Sequence, residues 1–428
     1  MAGRFNLEPL QSSGFRRFFA SSLIASLALW VYQPAFEWVV LVQTGRAGSV
    51  GLVQSTLIVA IALATLPSGL LVDRLGARRT IMIALGGMGV VIGLVAILSN
   101  VGMLTFEVAL VMTFVLGIFD GLWSVPASLL LAQVVEPRYL GAAIGLSFLT
   151  GGLGRLIGAP LGGAVLELAG ATQAFAPAAV ALGAAVVVTA AIPLLAKEEH
   201  HDRTPGLRGL GQAAHWLVRH PAARSVTLLG CLSGAAIFAY TALLPAFTRD
   251  VLKSESAILG LLTGAGGLGA IIGALVMDAT GRRIGRGRQI VVMLLGSSIC
   301  VGLLGLSTVL PVAILLVGLL VFLSVLFGGT AQLVVQSSPP PRLRASVMAL
   351  YTFAFYLVLP VATAGVGFFA DQFGVRAVLL GMTAVAFGGT AVILLSYRAL
   401  LRVDVDDHGV VRIPGELREP DAGAIVAP

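Results

Sequence analysis

Three charged residues lie deep inside long apolar runs: Glu37, Asp120 and Arg155. Two more acids, Glu107 and Glu167, sit nearer the ends of such runs. Between Phe18 and Gly45, Glu37 is the one charge. An acid at the centre of a bilayer costs roughly 2.5–3.5 kcal/mol on insertion scales, so it is expected to face a cavity or a partner. Protonated, it is neutral and tolerates a dry, occluded site; ionised, it favours water or a cationic ligand. These properties suit proton coupling or binding of a charged substrate.

Spacing refines the expectation. Trp30, Gln33 and Glu37 share a helix face at i, i+3 and i+7. That face would offer a ring, an amide and an acid to an amphipathic or cationic ligand. Glu37 lies about 20 residues beyond Arg17, roughly 30 Å along a helix, which places it in the outer third and too far out to be assumed a direct partner of Asp120. The competing reading is a carboxylate that reaches the outer headgroups beside Trp38. Asp120 and Arg155 are almost equidistant from Pro137, where the chain turns. They are therefore expected at one depth near mid-membrane, able to pair either as a structural or as a coupling couple. Tyr32, Trp123 and Tyr240 join Trp30 and Gln33 as candidate cavity residues, with Tyr351 and Tyr356 behind them.

The elements that must hold these groups are membrane helices. The chain has 428 residues, 57% of them hydrophobic and 11% charged. A soluble protein of that size could not hide so much apolar surface. Charged or Gly/Pro-rich breaks divide residues 16–398 into twelve runs long enough to span as helices. A β-barrel would show short alternating strands instead. The expected class is all-α, with a first six-helix half at 1–196, a linker at 197–223, a second six-helix half at 224–398 and a tail at 399–428. In the linker, Leu207, Leu210, Ala214 and Leu217 share one helical face and Arg208, Gln212, His215 and Arg219 the other. That pattern predicts a helix on the inner membrane surface.

With the N-terminus placed inside, 22 of the 27 Lys and Arg fall in inner segments, four in outer loops and one, Arg155, within a helix. The positive-inside rule then sets both termini in the cytoplasm and accounts for the net charge of +7 without nucleic acid. Cys231 and Cys300 both lie in apolar runs and suggest neither a disulfide nor a metal site. No Gly–Lys–Ser/Thr phosphate loop, metal-ligand cluster or nucleophile motif is present, so no cofactor and no enzyme activity are expected. The first apolar run is too long for a cleavable signal peptide.

The halves repeat one another. "DRLGAR" at 73–78 returns as "DATGRR" at 278–283, which pairs Asp73, Gly76 and Arg78 with Asp278, Gly281 and Arg283. A second match pairs Pro137 and Arg138 with Pro341 and Arg342, and Glu167 and Gly170 with Asp371 and Gly374. Two parallel six-helix repeats form a transporter architecture, with substrate expected between the halves near mid-membrane.

"GLLVDRLGARRT" at 69–80 resembles the loop between the second and third helices of the major facilitator superfamily. "FRRFFASSLIASL", "WVVLVQTG", "GRLIGAPLGG" and "HWLVRHPAAR" resemble its bacterial exporter branch, which includes the enterobactin exporter. The resemblance implies a conformational latch at Gly69, Asp73, Arg74, Gly76 and Arg78, echoed by Asp278 and Arg283. It also implies an antiporter-like motif at Gly154, Gly158, Pro160, Gly162 and Gly163, although Pro160 stands one position later than usual. The arginine often found in helix four of superfamily antiporters is replaced by Gly117, and Arg155 of the next helix is the available cation. The implied protein is a monomeric, multi-pass secondary transporter of the bacterial cytoplasmic (inner) membrane. It would export a small hydrophobic or amphipathic molecule, drug-like or siderophore-like, in exchange for protons by alternating access. The alternatives are an uptake symporter for a small metabolite and a membrane sensor or scaffold that moves nothing.

Overall fold

The computed structural model describes residues 8–136, 139–193, 207–340, 343–397, 400–401, 404–405 and 411–412. Among these, twelve helices are long and apolar enough to cross a membrane. The first six are Ser13–Thr44, Ala47–Thr65, Ala77–Asn100, Phe106–Val134, Ala142–Ala169 and Ala171–Ala190. The second six are Pro221–Val251, Ser256–Met277, Arg286–Leu306, Leu310–Ser337, Ser346–Phe373 and Val375–Ser396. They are called helices one to twelve below. Helices two and eight run on beyond those apolar stretches, to Leu75 and Ile284. Two short strands, Asp404–Val405 and Val411–Arg412, pair antiparallel in the tail.

Tight reversals join the spans where only glycine fits easily. Gly76 (φ 83°) separates helices two and three, and Gly285 (φ 82°) separates eight and nine. Gly170 (φ 92°) and Gly374 (φ 83°) do the same before helices six and twelve. Each half thus carries the same pair of turns.

Each half has its own hydrophobic core. One centres on Phe15, Tyr32, Phe36, Met88, Ile92 and Phe175. The other centres on Tyr240, Phe247, Leu294, Val317, Phe327 and Leu379. The second core also takes in Trp38, Leu41, Ala47 and Val50 from the first half. Those residues lie at the end of the molecule away from the start of helix one and the end of helix twelve, called the far end here.

The linker helix is Leu207–Arg219. Ala213 is fully buried, and Trp216 and Leu217 pack on the core of the second half. Gln212, His215 and Arg219 are exposed, while the side chains of Leu207, Arg208 and Leu210 lie outside the described residues. The amphipathic helix is present, but its apolar face rests on the protein rather than only on lipid. The seventh span starts at Pro221, slightly before the expected boundary at 224.

Candidate functional site

Helices one, two and four bring the chemistry together. Their facing side chains enclose a cavity of about 50 Å3 lined by Tyr32, Gln33, Glu37, Gln54, Thr113 and Asp120, with Leu29, Phe36, Val53, Leu57 and Leu116 as apolar walls. Glu37 is only 8% exposed, so the reading in which it reaches lipid headgroups fails. Its Oε1 accepts from Gln33 Nε2 (3.3 Å) and from Gln54 Nε2 (3.0 Å). Tyr32 stacks on Phe36 and meets Phe175 edge-on. The hydroxyls of Tyr32 and Thr113 are buried without a hydrogen-bond partner among the described residues.

Glu37 and Asp120 therefore line one chamber from different depths, in keeping with the depth argument from sequence. Helix four runs inward from the far end, so Thr113 sits about 10 Å below its start and Asp120 about 10 Å lower again. Glu37 lies about 10 Å below Thr44, level with Thr113. One face of helix four, with Thr113 and Asp120 seven residues apart, closes the gap that helix one alone could not. Helix four then breaks: Leu122 and Trp123 form a turn before the helix resumes at Ser124. Pro126 cannot donate to the Leu122 carbonyl, which accounts for a break just beyond Asp120.

Arg155 does not pair with Asp120. Its Nε donates to the Thr263 carbonyl (3.0 Å) and its Nη2 to Tyr240 Oη (3.2 Å), while the guanidinium lies 4.9 Å from the centre of the Trp30 ring. Among the described residues no ion pair joins it to Asp120. The matched depth is sound, but the azimuth differs. Arg155 lies in a π-helical turn, Gly154–Gly158, which rotates it towards the second half. Tyr240 follows a similar turn in helix seven, Gly234–Phe238. The next residue, Thr241, donates its hydroxyl to Gln54 Oε1 (3.1 Å). Helix seven thus receives one polar link from Arg155 and another from the Glu37 chamber.

A larger cavity of about 550 Å3 runs from Phe18, Leu131 and Leu140 at the terminal end to Trp30, Asp120 and Trp123 at mid-depth. Its lining is apolar with scattered hydroxyls such as Ser22, Ser26, Ser147 and Thr150, and Asp120 is its one charged residue. All of its lining belongs to the first half. Of the expected cavity residues, Trp30 and Trp123 line it, Tyr32 and Gln33 line the small chamber, and Tyr240 lines neither. Asp120 lines both.

The glycines of the antiporter-like motif fit two surfaces. A Cβ at Gly154, Gly158 or Gly162 would strike Ser26, Leu27 or Val31 of helix one. One at Gly163 would strike Ser256 of helix eight, and Pro160 fills the notches at Gly260 and Gly264. Helix five is therefore the joint between helix one and the opposite half.

The loop at 69–80 is less engaged. Gly76 makes the expected positive-φ turn, and Arg78 Nη1 donates to the Ile192 carbonyl (3.1 Å). Asp73, Arg74 and Arg79 are exposed, and nothing crowds Gly69. In the second half the turn falls on Gly285, not on Gly281 as the repeat implied. Helix eight continues to Ile284, and Gly281 instead gives room to the side chains of Arg286 and Gln289. Arg283 is exposed, and the side chain of Asp278 lies outside the described residues.

Sequence reasoning missed the contacts at the far end. Asp371 accepts from the backbone N–H groups of Ala47 (2.7 Å) and Gly48 (3.1 Å), capping helix two from the other half. Glu167 accepts from the N–H of Ala257 (3.0 Å), capping helix eight in the reciprocal sense. Ser256 Oγ donates to the Gly163 carbonyl (2.9 Å). Arg249 donates to the carbonyls of Leu41 (3.2 Å) and Gly45 (3.1 Å). The signal was present: Glu167 and Asp371 occupy equivalent places in the repeat. Among the described residues no group of three or more His, Cys, Asp or Glu is placed to hold a metal ion.

Comparison with known proteins places this geometry. Residues 18–363 match the model of the Major Facilitator Superfamily. The enterobactin exporter EntS of Citrobacter koseri is 27% identical over 342 residues, 79% of this chain and 80% of its own. EntS of Escherichia coli O127:H6 is 26% identical over the same shares. Among solved structures, a bacterial homolog of the human lysosomal transporter Spinster, inward-facing and unoccupied, superposes with a TM-score of 0.70 at 13% identity, covering 94% of this chain and 99% of that one. The nucleoside transporter NupG gives 0.73 at 11% identity over 90% of this chain and 99% of that one.

Proposed function

This chain belongs to the major facilitator superfamily, and from that premise we propose that it is a proton-coupled exporter of small apolar or amphipathic molecules. The observation that carries the reading is the large cavity: its walls are aromatic and aliphatic, with Asp120 as its one charge. Such a site favours neutral or cationic amphiphiles over anions, because no cation on its wall compensates a negative ligand. The far end is sealed by the trans caps and Arg249, so this conformation offers the cavity to the side of the termini. With both termini in the cytoplasm, as the Lys and Arg distribution argues, the state is inward-facing and loads from inside.

The cycle follows from charge. Ionised Asp120 attracts a cationic substrate from the cytoplasm. The halves then rock about helices five and eight and open the far end. A proton arriving from outside neutralises a carboxylate, releases the cation and lets the dry, occluded return step proceed. Glu37, nearer the far end, is the first acid that an external proton would meet, and Asp120 is the second.

Inside-out vesicles energised by respiration test this with ethidium, a planar monocation. Vesicles carrying the protein should accumulate the dye and lose it when a protonophore collapses the gradient. Depletion instead of accumulation means uptake, and flux equal to empty vesicles means no transport of such cations. A reporter fused after Arg398 should lie on the cytoplasmic face; an external position overturns the orientation.

A further inference from the structure

The small chamber raises a separate question. It holds two buried hydroxyls, of Tyr32 and Thr113, that no group among the described residues satisfies. Each is 2% exposed. A buried hydroxyl without a partner costs about 1–3 kcal/mol, and the two residues that carry them line one cavity. The cavity has a volume of about 50 Å3, and one water needs roughly 10–15 Å3 of such space, so one to a few waters fit among the polar groups. At one end stands Asp120, which also lines the large cavity, and at the other stands Glu37.

We propose that the chamber holds ordered water and is an internal proton wire between Glu37 and Asp120, with the Tyr32 and Thr113 hydroxyls as its fixed posts. The inference rests on the proton-coupled reading above and deepens it. A proton on Glu37 passes to a chamber water while that water, or the next along, gives one to the Asp120 carboxylate. Glu37 ends ionised, Asp120 ends neutral, and the waters are unchanged. The neutral acid no longer holds a cation in the large cavity.

The far side of the wire also touches the opposite half. When Glu37 is ionised, both amide hydrogens that reach it come from Gln33 and Gln54 Nε2. Gln54 is then fixed with its Oε1 towards Thr241, which donates to it. A protonated Glu37 turns its own O–H into a donor and competes for that same Oε1. Loading the wire therefore loosens the Gln54–Thr241 link between the halves. The titratable groups facing the chamber are Glu37 and Tyr32 of helix one and Asp120 of helix four. Helix two offers the neutral Gln54, and Arg155 of helix five is the cation that acts on Glu37.

Radiolytic hydroxyl-radical footprinting tests the water without any substrate. Tyr32 and Phe175 touch one another and are equally enclosed by protein, with Phe175 at 0% exposure. Bound water predicts modification of Tyr32 well above that of Phe175, and the excess should fall in Thr113→Val. Equal, low labelling of both rings means a dry chamber and overturns the wire, while leaving export itself intact. The second arm uses proteoliposomes with ethidium outside and a pH dye inside. Thr113→Val and Tyr32→Phe should each lower substrate-driven proton movement by about tenfold or more, with melting temperatures close to wild type showing that both fold. Undiminished proton movement in both variants rejects the wire even if water is present. Proton movement that depends on sodium rejects it in favour of a metal cation in the chamber. If wild type exports ethidium with no proton movement at all, the parent reading fails and the wire with it.

Discussion

Glu37, Asp120 and Arg155 stand inside the spans of the first half, whereas the spans of the second half carry charge only near their ends, as at Arg249, Arg286, Asp371 and Arg376. Both cavities that hold the acids are lined by the first half alone. Yet the two halves share their turns, at Gly76 and Gly285 and at Gly170 and Gly374. They also exchange matching caps, Glu167 on helix eight and Asp371 on helix two. Features that seal or reverse the chain are duplicated, while the acids inside the spans and the cavities they line are single. A rocking machine needs two similar bodies to move against each other, but a binding site works from one wall if the other wall only covers it. In this protein helix seven meets that wall at two points, Tyr240, which accepts from Arg155, and Thr241, which donates to Gln54.

The largest effect expected from breaking this asymmetry is at Glu37. Glu37→Gln keeps the shape and can still bond Gln33 and Gln54, but it cannot exchange a proton. Proton-driven ethidium flux should fall by about a hundredfold or more, measured in proteoliposomes against an imposed pH gradient. Flux that persists, with unchanged dependence on the gradient, removes Glu37 from coupling and leaves Asp120 to act alone.

The duplicated caps should give a smaller and symmetric response. A carboxylate cap removed to alanine costs about 1–2 kcal/mol. Asp371→Ala and Glu167→Ala should therefore each raise the population open at the far end by roughly 5–30-fold, since 1.4 kcal/mol is a factor of ten. Spin labels placed across the far end would report the distance change. Asparagine at 371 should recover most of the loss, because it caps nearly as well and forgoes only the interaction of a full charge with the helix dipole. If alanine at one position opens the far end and alanine at the other does not, the caps are not equivalent and the symmetry argument is wrong.

Next comes the joint. Gly162→Ala should cost about 1–3 kcal/mol by overpacking against the Val31 backbone. Gly145→Ala, where nothing approaches within 4 Å, should be near neutral. Thermal unfolding in detergent compares them. Similar losses at both positions would mean that helix one and helix five are not closely seated.

The fold was legible because its signals are redundant: twelve long apolar runs, one-sided Lys and Arg, and a repeat. The site was legible in part. A lone acid in an apolar run identified Glu37 and Asp120 as unusual by type; Glu37 is buried and Asp120 borders two cavities. What the sequence could not supply was azimuth. Arg155 sits at the expected depth, yet a π-helical turn swings it to Tyr240 and Thr263, and no residue pattern in "GRLIGAPLGG" announces such a turn. The chamber was hidden for a related reason. Its members come from three helices, and Gln54 and Thr113 are ordinary residues until the packing sets them beside Glu37. The repeat also misplaced one turn, since extending helix eight to Ile284 shifts the positive-φ glycine to Gly285 without changing the local motif.

The smallest expected effect is an absence of coupling. Were Asp120 and Arg155 a buried pair, removing either would leave a lone charge at about 3–5 kcal/mol, and removing both would recover much of it. In this structure Arg155 is held by Tyr240, a carbonyl and the Trp30 ring, while Asp120 borders two cavities. Asp120→Asn and Arg155→Gln should therefore add in the double variant to within about 0.5 kcal/mol in a thermal or chemical unfolding cycle. Arg155→Gln should be the worse of the two for stability, because it strips a link between the halves, and Tyr240→Phe should reproduce part of that loss. Asp120→Asn should be mild, since its side chain already borders space that water can fill. A recovery of about 1 kcal/mol or more in the double variant would mean that the two residues meet in some populated conformation. The far-end-sealed state would then be one member of a cycle in which Arg155 swings back from helix seven to its own half.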